Sequence, residues 1–197
     1  WRKYNYAVNG RIYYIWNRGR VTILINLKHL KNRYWSFSSI NSYQTCPRMF
    51  FLSYIDRKPQ EENAFSQWGS LCHKLLESYY KGQSSIFDLE ERYKNAYKRT
   101  VLSDFPKNRY VDMNKKYYQI GLEYFRGFED VFSEYQVVGV EQKIKTKIGE
   151  YNFVGVIDLI LEKNGEYIIC DHKSKGAFKN EQELRKYLFQ LYLYSKY

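Results

Sequence analysis

Apolar and polar positions alternate along the chain in two distinct periods, and the change between them divides it into helical and strand regions. Residues 66–81 place Trp68, Cys72, Leu75, Leu76 and Tyr79 at helical spacing, with Gly82 where a helix stops. The same spacing predicts helices over 85–103 and over 109–134, the latter through Met113, Tyr117, Ile120, Tyr124, Phe128 and Val131. Ser36 to Ser39 supply helix-start hydroxyls ahead of Ile40 and Tyr43, and Pro47 opens a second short helix. A linker runs from Asp56 to Asn63. From residue 138 the period becomes two, so Val138–Ile148, Tyr151–Glu162 and Glu166–Lys173 read as consecutive strands, and helix returns from Glu181. Residues 11–27 read as a hairpin around Asn17-Arg18-Gly19-Arg20.

Turn chemistry sets the register of the three later strands. Asn164-Gly165 suits a type I′ turn, because both residues tolerate positive φ, and it pairs Lys163 with Glu166. Carried down the ladder, that register brings Asp158 opposite Asp171. Gly149 suits the first central position of a type II′ turn, and that register sets Glu141 opposite Asp158. Three carboxylates then stand in a row. Alternation puts Lys173 on the side of Asp171 and turns His172 the other way. Opposed like charges destabilise a sheet, so the row calls for a compensating cation. A hard divalent metal such as Mg²⁺ or Mn²⁺ suits oxygen ligands and phosphodiester chemistry.

Charge narrows the partner class. The 197 residues carry 32 Lys plus Arg against 21 Asp plus Glu, a formal +11, which favours a polyanion. Residues 1–35 hold eight of these bases and no acid, leaving the remainder nearly balanced. That stretch reads as a basic N-terminal extension, and residues 36–197 as one domain. No stretch approaches the roughly 20 apolar residues of a membrane-spanning helix. Cys46, Cys72 and Cys170 are odd in number and irregular in spacing, which argues against a secreted disulfide framework and for an intracellular, cytoplasmic setting. The absence of an initiator Met reads as the mark of a fragment. The 22 tyrosines fit an AT-rich coding bias better than a dedicated base-stacking role.

The residues resemble a known family. Gly155-Val156-Ile157-Asp158, thirteen residues before Asp171-His172-Lys173, resembles the Asp…(Asp/Glu)-x-Lys signature of the PD-(D/E)XK nuclease superfamily. Trp68 to Glu77, which contains Gly69-x-x-x-His73, resembles the helical Gly-x-x-x-His motif of its RecB-like branch, which includes CRISPR-associated exonucleases. Gln190-x-x-x-Tyr194 and the Ser38 to Arg48 segment resemble two further motifs of that branch, in the same order.

The resemblance implies an α/β fold of restriction-endonuclease type, a mixed β-sheet flanked by α-helices. It also implies a metal-dependent DNA nuclease, exonuclease first, acting in DNA processing, recombination or repair, with a helicase or recombination protein as its partner. His73, Asp158, Asp171 and the backbone carbonyl of His172 would hold the metal, with Glu141 in the same site. Lys173 would polarise the attacking water, while Gln190 and Tyr194 would support the site and touch DNA. Members with an iron–sulfur cluster use a Cys at the position of Cys46 and three beyond the Gln-x-x-x-Tyr helix. The chain ends at Tyr197, so as it stands no such cluster is expected. A non-catalytic DNA-binding or scaffolding module on the same fold is the competing expectation.

Overall fold

The computed structural model describes residues 12–17, 20–25, 30, 32–174 and 178–197, the first two segments by backbone alone. Strands β1 (Ile12–Asn17) and β2 (Arg20–Ile25) pair antiparallel as the expected hairpin, with Asn17 opposite Arg20. After the two-residue strand β3 (Tyr34–Trp35), Ser36 starts helix α1 (Phe37–Thr45) through a reciprocal cap: it accepts from the Ser39 amide, and Ser39 Oγ accepts from the Ser36 amide. Pro47 opens the short α2 (Pro47–Phe50), which widens into a π-turn over Phe51–Ile55. Asn63 caps α3 (Ala64–Tyr80).

A 3₁₀ turn (Ile86–Asp88) precedes α4 (Leu89–Thr100), and Asp112 caps α5 (Met113–Arg126). Strands β4 (Gln136–Ile148), β5 (Tyr151–Lys163) and β6 (Glu166–Cys170) follow, and Asn180 caps α6 (Glu181–Tyr194).

The sheet has four strands. β5 is its hub, with β4 and β3 as neighbours and β6 pairing with it as well. Tyr34 and Trp35 pair parallel with Asn152 and Phe153, whereas β6 runs antiparallel to β5, so the sheet is mixed. Together with the six α-helices that flank it among the described residues, this is the expected α/β architecture. No helix among the described residues is long and apolar enough to cross a membrane.

The chain forms two compact units, and β4 and β5 run through both. In the first, which includes residues 1–59 and 144–155, the Arg33 guanidinium lies 4.8 Å from the ring centroids of both Trp35 and Phe50, and those two rings stack. The second, residues 60–143 and 156–195, is built on α3, α4 and α5. There Trp68, Leu71, Cys72, Leu75 and Leu76 of α3 pack with Leu89, Tyr93, Leu122 and Phe125. The buried Tyr93 hydroxyl accepts from Trp68 Nε1 at 3.1 Å and donates to the carbonyl of Tyr118. It approaches so closely because position 121 is glycine: a Cβ there would fall 2.3 Å from that hydroxyl.

Three expected elements are shorter than their periodicity predicts. The helix expected over 109–134 is confined to Met113–Arg126, because Asp112 caps its start and the chain leaves the helix at Gly127. Val131 is exposed rather than part of the apolar stripe, and Asp130 instead accepts from the Tyr79 and Tyr80 hydroxyls. The helix expected over 85–103 ends at Thr100, where the amides of Leu102 and Ser103 turn to the side-chain oxygen of Gln67. The third strand stops at Cys170 instead of Lys173.

Candidate active site

The β5–β6 register follows the expected ladder, from Lys163 opposite Glu166 to Leu159 opposite Cys170, and both Asn164 and Gly165 adopt positive φ. One further step would set Asp158 against Asp171. The strand ends before that step, and the His172 amide donates to Asp158 Oδ2 at 2.7 Å. Two carboxylates directly opposite each other would repel, and a backbone donor to one of them replaces the repulsion with a charge-assisted bond.

His73 projects from α3 one residue beyond the buried Cys72, and its Nδ1 lies 3.6 Å from Asp158 Oδ2. Glu141, on β4, completes a group: one ligand atom each from His73, Glu141 and Asp158 lie within 4.8 Å of one another. Glu141 reaches this position with φ of +51°, a left-handed residue inside an extended strand. Burial, with the negative charges of Asp158 and Glu77 nearby, raises its pKa. One imidazole and two half-buried carboxylates form a donor set suited to a divalent cation.

Asp171 forms the adjoining part of the site. Lys173 Nζ stands 2.5 Å from its Oδ2, as expected for residues on one side of the chain, and Gln190 Nε2 donates to its Oδ1 at 2.9 Å. Burial raises the Asp171 pKa, opposed by the hydrogen bond from Lys173. Gln190 also accepts from Lys173 Nζ at 3.2 Å and donates to the Tyr194 hydroxyl at 3.0 Å. Gln190 and Tyr194 are both buried, four residues apart on α6, and so they brace the acid–lysine pair from beneath. The geometry therefore makes two groups, His73–Glu141–Asp158 and Asp171–Lys173–Gln190–Tyr194. The His172 ring, whose pKa burial lowers, stacks on Tyr80 with centroids 5.9 Å apart.

Sequence reasoning missed two contributors, Ser174 and the His172 amide. Gly69, one turn before His73, leaves room for Ser174: a Cβ there would lie 2.8 Å from Ser174 Oγ. The signal was a glycine inside an otherwise apolar helix, marking a close approach. The His172 amide had no signal, since backbone donors carry none. Lys143, Lys145 and Lys147 are exposed along β4, as solvated strand lysines. The half-buried Cys46 lies in the other unit.

The family model of the PD-(D/E)XK nuclease superfamily matches residues 34–196. No curated protein and no solved structure matches the chain. The match spans the sheet, every helix described above and both groups of site residues, so the chain belongs to the PD-(D/E)XK nuclease superfamily.

Proposed function

We propose that the chain is a deoxyribonuclease dependent on Mg²⁺ or Mn²⁺ that works from DNA ends as an exonuclease in DNA processing, recombination or repair. The convergence of His73, Glu141 and Asp158 within 4.8 Å, beside a lysine already paired with Asp171, carries the reading. End-directed cleavage rests on the likeness of the Gly69-x-x-x-His73 and Gln190-x-x-x-Tyr194 motifs to the RecB-like branch.

In this reading His73, Glu141 and Asp158 hold the cation. Asp171 joins them through lone pairs that its bonds to Lys173 and Gln190 leave open, together with the His172 carbonyl. When bound, the ion supplies Lewis-acid polarisation of the phosphate and a more acidic water. Lys173, oriented by Asp171 and Gln190, stabilises the negative charge that builds on the phosphoryl oxygens. Water gives up a proton to solvent as its oxygen forms the new bond to phosphorus, the bond to the leaving sugar oxygen breaks, and that oxygen takes up a proton from solvent. Residues 36–197 form the nuclease domain, joined in its sheet by β3 (Tyr34–Trp35), and the basic residues ahead of that strand add affinity for DNA.

The test is incubation of the intact chain with end-labelled linear and circular DNA, in Mg²⁺, in Mn²⁺ and in EDTA. Shortening of linear DNA alone, dependent on metal and absent in Asp158→Ala and Lys173→Ala, is the expected result. Full cleavage by either variant overturns the mechanism. Metal-independent binding with no cleavage would instead favour a scaffolding module.

A further inference from the structure

A cavity of about 420 Å³ lies beside the metal group, enclosed by α3, α5 and residues 171–174. Trp68, Tyr117 and Tyr124 line it, with Asp171 and Lys173 also in its lining. Its aromatic lining is held in place. Trp68 Nε1 is bonded to Tyr93, and Tyr117 stacks on Phe105 at 4.5 Å while meeting Trp68 edge-on at 5.1 Å. A lining fixed this way does not have to order itself when a ligand enters. The lining is mainly apolar with a few polar groups, the usual make-up of a small-molecule site.

A second, open cleft contains Glu141 and Asp158, and His73 and Ser174 line both spaces. A phosphate in the cleft therefore leaves its neighbouring base within reach of the cavity. Asp171, the carboxylate in the cavity lining, is paired with Lys173, so the lining itself carries no unbalanced negative charge against a polyanion. What fits is a flat, uncharged aromatic body on an anionic backbone.

We propose that this cavity receives one unstacked nucleobase of the substrate strand, next to the phosphate that is cut. The proposal rests on the nuclease reading for the phosphate in the cleft. A base inside a duplex is stacked and paired and has to leave the helix to enter such a pocket. The substrate class is thus a single strand or a frayed end.

The test uses the intact chain and short single strands carrying 2-aminopurine at successive positions, followed by fluorescence in EDTA and in Ca²⁺. One position is expected to be quenched by stacking. An abasic residue at that position is expected to weaken binding roughly 5- to 150-fold, the equivalent of one stacked base. Tyr124 and Ile120 are half-exposed at the cavity, so Tyr124→Ala and Ile120→Trp alter it from its exposed side. Both variants should erase the position effect. Equal fluorescence at every position, an abasic cost that is uniform along the strand, or a position effect that survives in both variants overturns the proposal. A chain that quenches one position yet cuts nothing in Mg²⁺ or Mn²⁺ keeps the pocket and loses the nuclease reading, so the two failures are distinguishable.

Discussion

Gln190 reaches Asp171 across nineteen residues of sequence, its side-chain nitrogen 2.9 Å from Oδ1. The oxygen of the same amide accepts from Lys173, so one buried side chain positions the carboxylate and the ammonium together. Gln190→Leu removes both constraints at similar volume. The expected result is a fall in kcat of about 10- to 100-fold, as for other groups that orient a reactive centre, with KM for DNA little changed. Steady-state kinetics separate the two. Tyr194→Phe, which removes a hydroxyl that accepts from Gln190 and from the Val156 backbone but leaves the bonds of Gln190 to Asp171 and Lys173 in place, should cost far less in kcat.

A cation held by His73, Glu141 and Asp158 stabilises the folded chain by mass action, by about 2.7 kcal/mol at a hundredfold excess over Kd. Mg²⁺ or Mn²⁺ should therefore raise Tm in thermal unfolding, and Asp158→Ala should abolish the rise while leaving the helical signal intact. An unchanged rise in that variant would place the cation elsewhere.

The close pair Gly121 and Tyr93 predicts a stability effect remote from chemistry. Gly121→Ala forces a Cβ against a fully buried ring, and overpacking of that kind costs about 1–3 kcal/mol. Tyr93→Phe leaves the Trp68 indole N–H without its acceptor, at a cost of about 1–3 kcal/mol. Denaturant unfolding of each variant measures both.

Residues 1–29 carry six basic groups and no acid. A deletion that stops there spares β3, whose Tyr34 and Trp35 pair with β5. Binding to single-stranded DNA should then depend less steeply on salt, by about 0.7 in log–log slope for each phosphate that is no longer neutralised. Metal-dependent cleavage should persist, which titration and gel assays at several salt concentrations will show.

The site was legible in the sequence where local chemistry dictates geometry. Asn164-Gly165 accepts one hairpin turn readily, and that turn alone aligned Leu159 with Cys170 and drew Asp158 toward Asp171. It did not show that β6 stops short, because that end depends on the His172 amide, which has no residue type to announce it. Periodicity overran α5 for a related reason. Phe128 packs on the core without being helical, since Gly127 ends the helix first. The aromatic cavity was illegible, because Trp68 and Tyr117 meet only through the packing of two helices whose tyrosines read as compositional bias.

The left-handed backbone at Glu141 sets function against durability. A residue with a Cβ holds φ of +51° at a cost in energy, and the fold tolerates it where it aims a carboxylate at His73 and Asp158. Glycine at position 141 would relieve the strain and remove the charge that burial disfavours, giving a sturdier protein without its acid. Stabilising substitutions selected by heat alone should therefore erode this strand first, and the carboxylate persists there only while cleavage is itself under selection.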